Sequence, residues 1–379
     1  MKNKRKILAV LSILVAFLAM VSALAMIGAA AGKAGEVYTI DNAASGNNVL
    51  RFDRGGDGSL VASGTFSTSG LGTGSKLASQ GAVVLSQDGQ WLLVVDAGSS
   101  QISVFKVGGG TLTLTDIESS QGMTPISLTI EINVRGNYIN PIDLVYVLNN
   151  GSDTVTGNIA GFWLDGFGKL TYITGSSQPL SAPNCSPEQI GFAESNPYAN
   201  VLVVTEKATG IIDTYTVDNN GVAGAPMMTP SNSPGPYGFA FNSKGYLILS
   251  EAAANTLSSY YVYNDGSLRT LSGSLPTFGN APCWVATTDN GKFAYTTNAH
   301  GGTISGFTIS SSGFLSLFSS VAATVNIPAL DLAFSSGSKY LYVLNGNSIT
   351  GFQVYDDGSL SWVTTVNGLA PSATGLAAT

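Results

Sequence analysis

Short apolar runs separated by small polar turns fill the chain, and one unit of this pattern returns about every 50 residues. Each copy holds an apolar strand, then an Asp, Asn or Glu, then a turn of small residues, then a second strand of β-branched or aromatic residues. The seven copies read VYTIDNAASGNNVLRF, WLLVVDAGSSQISVF, VYVLNNGSDTVTGNIAGF, VLVVTEKATGIIDTY, YLILSEAAANTLSSY, FAYTTNAHGGTISGF and YLYVLNGNSITGF.

A repeat of this length built from short strands is typical of four-stranded blades arranged radially around an axis. We therefore predict an all-β fold, a seven-bladed β-propeller that spans residues 36–379 as a single domain. The segments RGGDGSL, YNDGSL and YDDGSL predict hairpins, because Asp-Gly supports the positive φ angles that suit twisted strands. No segment shows a sustained helical period after the first residues.

The end of the chain is predicted to close the ring. Six innermost strands are expected at GAVVLS, SLTIEIN, PEQIGFA, YGFAFN, WVATT and LDLAF. The seventh is ATGLAA at residues 373–378, an inner strand with nothing after it, and its missing partners lie within residues 37–52. Pairing of this C-terminal strand with the N-terminal blade would remove the open edges that template aggregation.

The first 31 residues have the pattern of a signal peptide. A basic start with Lys2, Lys4, Arg5 and Lys6 precedes an apolar run that ends in small residues. The alternative is an uncleaved membrane anchor, because the apolar run approaches the ~20 residues that span a bilayer. Both interpretations place the body outside the cytoplasm, secreted or anchored, and limit membrane contact to an uncleaved leader.

Charge and composition narrow the class of partner. Charged residues make up 10% of the 379 residues and the net charge is −7, with no basic stripe. Nucleic acid is therefore not an expected partner, since its phosphates need a basic surface. The single histidine and two cysteines make a zinc site improbable, and we expect no metal, no cofactor and a monomer.

The two cysteines, Cys185 and Cys283, each follow an Ala-Pro pair near the start of a repeat. An exported protein can keep a disulfide between such residues. The alternative is that they are separate small apolar residues in blades four and six.

One face of the predicted ring collects polar side chains. The start of each inner strand and the turn after the second strand lie on this face. It gathers Asn42, Asp96, Asn149, Glu206, Glu251, Asn298 and Asn345 after the second strands, Gln80, Gln189, Tyr237 and Trp284 at the inner-strand starts, and His300. A pocket at the ring axis is expected there.

Glu206 and Glu251 are the candidate catalytic acids of this face. Two carboxylates in one cleft can have one raised pKa and serve as general base or acid. Ion pairing or capping of backbone groups is the alternative for both. For the Asn and Asp residues the structural interpretation is favoured, because their side chains bond to nearby backbone in tight turns.

The other candidates of this face would hold or activate a ligand. His300 could act as an acid or base, or could simply be exposed in its AHGG turn. Trp284 and Tyr237 could stack on a sugar ring or could plug the channel. Asn298, Asn149 and Gln80 complete the predicted substrate-binding set.

Two long segments, GPYGFAFNSKGYLILSEAAANTLSSYYVYNDGSL and APCWVATTDNGKFAYTTNAHGGTISGFTIS, resemble the lactonase-type seven-bladed propellers. That group contains 6-phosphogluconolactonase and the carboxymuconate-cyclizing enzymes, and the similarity runs from residue 36 to 379, with exported members of the group the most alike. The resemblance implies hydrolysis or formation of a lactone in the central cleft.

The inner-strand starts depart from that family. Its enzymes commonly place Pro-Arg-His there, whereas this chain has Pro-Tyr-Gly at 236–238 and Pro-Cys-Trp at 282–284. The loss of these basic groups argues against a phosphorylated substrate.

Two hypotheses follow. The first is an exported lactonase-like hydrolase that uses Glu251 or Glu206 to activate water on an uncharged lactone or sugar lactone. The second is a non-catalytic extracellular binding or scaffold propeller. A deep cleft where the two glutamates converge favours the first, and a plugged channel favours the second.

Overall fold

The computed structural model describes residues 32–136, 141–193 and 200–379. The predicted leader, residues 1–31, lies outside this part. Strands account for nearly all regular structure in the described residues, and the 3₁₀ turn Ser336–Ser338 is the one helical element given for them. None of these described residues forms a helix long and apolar enough to cross a membrane.

The strands form seven antiparallel sheets, which we number as blades 1 to 7. Blade 1 contains β1 (Lys33–Ile40), β2 (Asn48–Gly55), β3 (Leu60–Ser67) and, from the end of the chain, β29 (Thr374–Ala378). Blade 2 contains β4 (Val83–Leu85), β5 (Trp91–Asp96), β6 (Gln101–Gly108) and β7 (Thr111–Ser119). Blade 3 contains β8 (Pro125–Gly136), β9 (Pro141–Ser152), β10 (Val155–Asp165), β11 (Leu170–Tyr172) and β12 (Gln178–Pro179).

The remaining blades repeat the same order from the axis outward. Blade 4 contains β13 (Pro187–Phe192), β14 (Asn200–Glu206), β15 (Ile211–Val217) and β16 (Met227–Pro230). Blade 5 contains β17 (Pro236–Phe241), β18 (Tyr246–Glu251), β19 (Thr256–Val262) and β20 (Leu268–Pro276). Blade 6 contains β21 (Pro282–Thr287), β22 (Phe293–Asn298), β23 (Thr303–Ile309) and β24 (Leu315–Thr324). Blade 7 contains β25 (Ala329–Phe334), β26 (Tyr340–Asn345), β27 (Ser348–Val354) and β28 (Leu360–Asn367).

The predicted closure of the ring is confirmed. Strand β29 pairs antiparallel with β1, with Tyr38 opposite Ala377 and Ile40 opposite Thr374. Arg54 strengthens the junction because its guanidinium donates to the carbonyl of Thr379 at 3.0 and 3.1 Å. The seven-bladed β-propeller, with the inner strands at the predicted segments, is therefore the fold of this chain.

A recurring hydrogen bond joins neighbouring blades. At each of the seven interfaces, all of which lie in the described residues, a side chain of one blade donates to the carbonyl of the hairpin glycine in the next. The donors are Arg51, Thr115, Tyr146, Thr214, Ser259, Tyr295 and Tyr342, and the respective acceptors are Gly110, Gly168, Gly221, Gly266, Gly313, Gly358 and Gly58. Every one of these glycines has a positive φ between 74° and 86°, which explains the residue type.

Candidate functional site

The ring axis is closed at the face where the sequence predicts a pocket. Trp284 of blade 6 donates from its indole nitrogen to the carbonyl of Ser79, which precedes blade 2, at 2.8 Å. Blades 2 and 6 are not neighbours in a ring of seven, so this bond crosses the axis. Tyr237 of blade 5 packs edge-on against the indole with ring centroids 5.2 Å apart, and both rings are buried.

Gln80 makes a second bond across the axis. Its amide nitrogen donates to the carbonyl of Val285 at 2.8 Å, and its amide oxygen accepts from the nitrogen of the same residue at 3.1 Å. The amide of Gln80 is thus used on both sides by the backbone of blade 6. We call Gln80, Tyr237 and Trp284 the axial plug, because together they fill the channel at this face.

The plug decides between two alternatives that the sequence left open. Trp284 and Tyr237 fill the channel and do not face an open cleft on which a sugar ring could stack. The side-chain amide of Gln80, predicted to contact a substrate, is instead hydrogen-bonded to the backbone of Val285. In the described part of the chain, the rings of Trp284 and Tyr237 are buried against each other and the indole nitrogen is bonded across the axis, so they leave no open face for a ligand to stack on.

An ion pair between a buried glutamate and a partly exposed lysine supports the plug from the side. Glu188, at the start of β13, lies 2.6 Å from the ammonium of Lys207, and the same ammonium lies 5.1 Å from the centroid of the Tyr237 ring. Burial raises the pKa of Glu188 to about 7 despite the neighbouring lysine. The other carboxyl oxygen of Glu188 is enclosed without a hydrogen-bond partner among the described residues.

Glu251 is enclosed by hydroxyl groups of its own blade and of the loop before it. It has no exposed surface. Its oxygens accept from Ser258 at 2.8 Å, Thr256 at 2.5 Å and the backbone nitrogen of Ser233 at 2.9 Å. The side chain thus fixes the loop that leads into blade 5.

Glu206 has the same structural role in blade 4. It is also fully buried, and it accepts from the backbone nitrogen of Ser181 at 2.9 Å and from the hydroxyl of Thr209 at 2.7 Å. Among the hydrogen bonds of the described residues, no partner of Glu206 is also a partner of Glu251. The predicted cleft shared by the two glutamates is therefore not formed, because each carboxylate turns into its own blade and is satisfied there.

The remaining predicted residues are also spread apart. Asn298 donates to Thr303 and Ser305, both at 2.9 Å, and Asn149 donates to the carbonyl of Ser120 at 3.0 Å. Both asparagines are buried within their blades. His300 is exposed in the turn that follows β22. The two cysteines, left open by the sequence, are both buried and free.

One buried acid breaks the pattern of these loop-fixing contacts. In the strand register, Ser103, Ser258, Ser305 and Thr350 occupy one equivalent position on the third strand of their blades, and each bonds to the polar side chain that ends the second strand. Blade 4 has Asp213 at this position, opposite Val204.

In blade 4 the side chain next to Glu206 is therefore the carboxyl group of Asp213, whereas the equivalent side chain in blades 2, 5, 6 and 7 is a hydroxyl group. Both oxygens of Asp213 are buried without a donor at hydrogen-bonding geometry in the described part of the chain. Burial, followed by repulsion from Glu206, raises the pKa of Asp213 well above its ordinary value. The pair is stable in this geometry when Asp213 holds a proton.

We expect Asp213→Ser to stabilise the protein, and to do so most above pH 8. A raised folded-state pKa means that protonation stabilises the fold at low pH and that this stability is lost as the pH rises through the folded pKa. Serine removes that loss and can donate to Glu206, which gives a gain of about 1–3 kcal/mol at pH 9 and less at pH 5. Urea denaturation at both pH values measures it.

The reciprocal change in blade 5, Ser258→Asp, is the matched control. It places a second carboxyl beside Glu251 and is expected to lower stability with the opposite pH trend. A loss of stability in Asp213→Ser at pH 9 would contradict this explanation.

Beyond the plug, the axis widens into a cavity of about 250 Å³. We call it the axial cavity. Its wall comes from inner strands of several blades and consists of Gln80, Gly81, Val84, Leu128, Thr129, Gln189, Ile190, Gly191, Phe192, Phe239, Ala240, Phe241, Asp331, Leu332 and Leu376. The side-chain amide of Gln189 donates to the carbonyl of Phe239 at 3.0 Å and accepts from its backbone nitrogen at 2.7 Å. Gln189 thus joins blades 4 and 5 in the same way that Gln80 joins the segment before blade 2 to blade 6.

Asp331 is the acid of this wall. Its two oxygens accept from the backbone nitrogens of Leu332 at 2.9 Å and Leu376 at 3.1 Å, which ties blade 7 to the last strand of the chain. Burial raises its pKa to about 8. Sequence reasoning missed both Asp331 and Glu188, although a charged residue within an apolar inner strand was a visible signal.

A second, wider cavity of about 600 Å³ lies at the opposite face of the ring. Its lining includes Leu85, Phe334 and Ala378, which continue the strands that carry Val84, Leu332 and Leu376 in the axial cavity. Two carboxylates, those of Asp88 and Asp289, stand among its lining residues.

Comparison with known proteins gives one family. Residues 35–157 match the model described as "Lactonase, 7-bladed beta-propeller". No curated protein matched the sequence.

Solved structures share the fold over nearly the whole chain. A protein from Lactobacillus plantarum superposes with a TM-score of 0.70 at 16% identity, covering 91% of this chain and 100% of that one. The periplasmic gluconolactonase of Pseudomonas aeruginosa gives 0.66 at 16% identity, covering 89% and 98%. A Bacteroides fragilis protein, provisionally assigned as a 6-phosphogluconolactonase, gives 0.64 at 17% identity, covering 91% and 98%. The chain is a seven-bladed β-propeller whose residues 35–157 match the lactonase family model, and its own last strand completes the ring.

Proposed function

We propose that this protein is an exported, non-catalytic propeller that binds a small molecule in the axial cavity. The observation that carries the proposal is the axial plug. Trp284 and Gln80 bond across the ring, so among the described residues these side chains block the axis at the face predicted to hold the catalytic glutamates. The open space lies beyond the plug, toward the other face.

The composition of the axial cavity suits binding. Most residues of its wall are apolar by type, but polar atoms form slightly more than half of the surface that faces the space, with Gln80, Thr129, Gln189 and Asp331 among the lining residues. Ligand sites combine apolar walls with a few polar groups, and for drug-sized ligands they occupy about 300–1,000 Å³. A volume of about 250 Å³ fits a smaller molecule. Export rests on the basic and apolar leader pattern of residues 1–31.

Lactone hydrolysis is the second candidate, and the family match supports it. A neighbour of the same fold is a periplasmic gluconolactonase. In this chain Glu206 and Glu251 lack the common cleft that water activation would need, so a hydrolase here would have to act in the axial cavity. Asp331 is the titratable group available in that wall.

The test is a binding and turnover screen of the mature protein with small sugar lactones, alcohols and amines. Ala240→Phe fills the axial cavity, and Ala286→Phe places the same ring at the equivalent strand position of blade 6, outside the cavity lining. We expect ligands detected by saturation-transfer NMR to be lost in Ala240→Phe and kept in Ala286→Phe, with no lactone turnover.

Three results would overturn the proposal. Lactone turnover that falls in Asp331→Asn would establish the second candidate in its place. Turnover that falls in the Glu206→Gln, Glu251→Gln double variant would restore the original assignment of those residues. Binding that is equal in Ala240→Phe and Ala286→Phe would remove the axial cavity as the site.

A further inference from the structure

We propose that the ligand of the axial cavity is a small organic cation, an alkylammonium or quaternary ammonium ion, held by the Asp331 carboxylate and the phenyl rings of the wall. The inference rests on the proposed function, because it names the class of molecule for the same site.

Asp331 is a carboxyl group placed at the axis without a cationic partner. The ion pairs of the described residues do not include it, and the residues that line the cavity contain no lysine or arginine. Its two backbone donors hold the carboxyl in place but supply no full positive charge. The amides of Gln80 and Gln189 are occupied by backbone groups and do not turn to it. A bound cation would supply the missing charge.

Three phenylalanines of the cavity lining provide aromatic rings that can attract a cation. Phe192, Phe239 and Phe241 all line the cavity, and the rings of Phe239 and Phe241 lie edge-to-face with centroids 5.9 Å apart. The negative face of an aromatic ring attracts an ammonium group, and the attraction grows when water is excluded. Aliphatic wall residues such as Leu128 and Leu376 suit the alkyl part of the ligand.

The negative charge of the protein also favours cations at the wider cavity, through which a ligand would enter the axial cavity. Asp88 and Asp289 line the wider cavity at the opposite face, along the strands that continue from the axial cavity. The whole chain carries a net charge of −7. Such a field raises the local concentration of cations and lowers that of anions.

The proposal has a defined pH dependence. Burial raises the pKa of Asp331 to about 8. The charge of Asp331 also acts on the hydroxyl of Tyr237 in the plug. The Glu188–Lys207 ion pair lies beside that tyrosine. A cation binds to the ionised carboxylate. Its affinity is therefore expected to rise as the pH rises through about 8, and binding below that pH releases a proton from Asp331.

The experiment compares choline with 3,3-dimethylbutan-1-ol, which has the same shape with carbon in place of the charged nitrogen. Titration calorimetry of the full mature protein at pH 9 is expected to give choline an affinity at least ~10-fold higher than the alcohol, or about 1.4 kcal/mol. Asp331→Asn is expected to reduce choline to the level of the alcohol. Asp265→Asn removes one carboxylate from an exposed hairpin that lines neither cavity, and it is expected to change choline affinity no more than about threefold.

Each outcome is decisive. Equal affinity for choline and the alcohol would overturn the cation and leave a neutral ligand in the same cavity. Choline binding that survives both Asp331→Asn and Ala240→Phe would place it elsewhere and overturn the inference. If neither choline nor the alcohol binds, but other molecules bind and lose that binding in Ala240→Phe, the cation alone is overturned. If no molecule binds at all, the proposed function is overturned as well. A thermal melt of Asp331→Asn establishes that it is folded, and Ala240→Phe repeats the test with Asp331 intact.

Discussion

A chain that ends at residue 373 is expected to lose the cooperative fold of the whole ring. The deletion removes β29, the inner strand of blade 1, and leaves Tyr38 and Ile40 on an open edge. It also removes the buried side chain of Leu376 and the acceptor of Arg54. Burial of one such leucine contributes about 1.5–3 kcal/mol and each hydrogen bond about 1 kcal/mol. Together with the ladder bonds to β1, their sum reaches the lower end of the ~5–15 kcal/mol that stabilises a typical domain.

Circular dichroism during heating measures this loss. Leu376→Ala is the graded control, and we expect it to cost about 2–5 kcal/mol without abolishing the transition. A truncated chain that melts at the temperature of the full chain would show that the last strand does not close the ring.

Replacement of Lys207 by methionine is expected to have the second-largest effect on stability, and the loss should grow with pH. Removal of one partner of a fully buried ion pair leaves an uncompensated charge and costs about 3–5 kcal/mol. We expect about 1–3 kcal/mol here, because the Lys207 side chain is 38% exposed and solvent screens part of the charge. Here the charge is that of Glu188, 2.6 Å from the lysine. Because the pKa of Glu188 is raised to about 7, the carboxyl is mostly neutral at pH 5 and charged at pH 9. The free energy of unfolding should therefore fall most at pH 9.

Two further variants isolate the cause. The double variant Lys207→Met, Glu188→Gln removes the buried charge and should recover most of the loss at pH 9. Lys169→Met breaks an ion pair with Asp116 in which the lysine is largely exposed, and it should cost no more than about 1 kcal/mol. An equal loss at pH 5 and pH 9 would argue that packing against Tyr237, and not the charge of Glu188, explains the effect.

The fold could be predicted from the sequence because its signals are local. Each blade can be recognised from one apolar strand, one turn and one hairpin in the sequence. The Asp-Gly pairs of the hairpins correspond to positive φ angles, such as 84° at Gly58 and 86° at Gly266. The last strand was also predictable, since it is an inner strand without successors. The bonds between blades were not predicted, because the donor residue type varies among Arg, Thr, Tyr and Ser and each donor lies more than 50 positions from its hairpin carbonyl.

The site could not be predicted in the same way, because the contacts that define it join distant residues. Trp284 and Ser79 are 205 positions apart, and only the closed ring brings them together. Glu206 and Glu251 fall on the expected face, but their longer side chains reach the loop before their own blade. The informative acids were Glu188, Asp213 and Asp331, which stand at buried positions within strands and whose environment only the folded ring defines.

Hydrogen exchange at the indole nitrogens of tryptophan tests the closed axis most directly. Trp284 is buried and bonded across the ring, whereas Trp362 is 66% exposed on an outer strand. In nitrogen-15 spectra of the mature protein, with the signal assigned through Trp284→Phe, we expect the indole proton of Trp284 to exchange on the order of 100-fold more slowly than that of Trp362. Exchange of the two protons at the same rate would mean that the channel is open at this face, and would contradict the plug on which the proposed function depends.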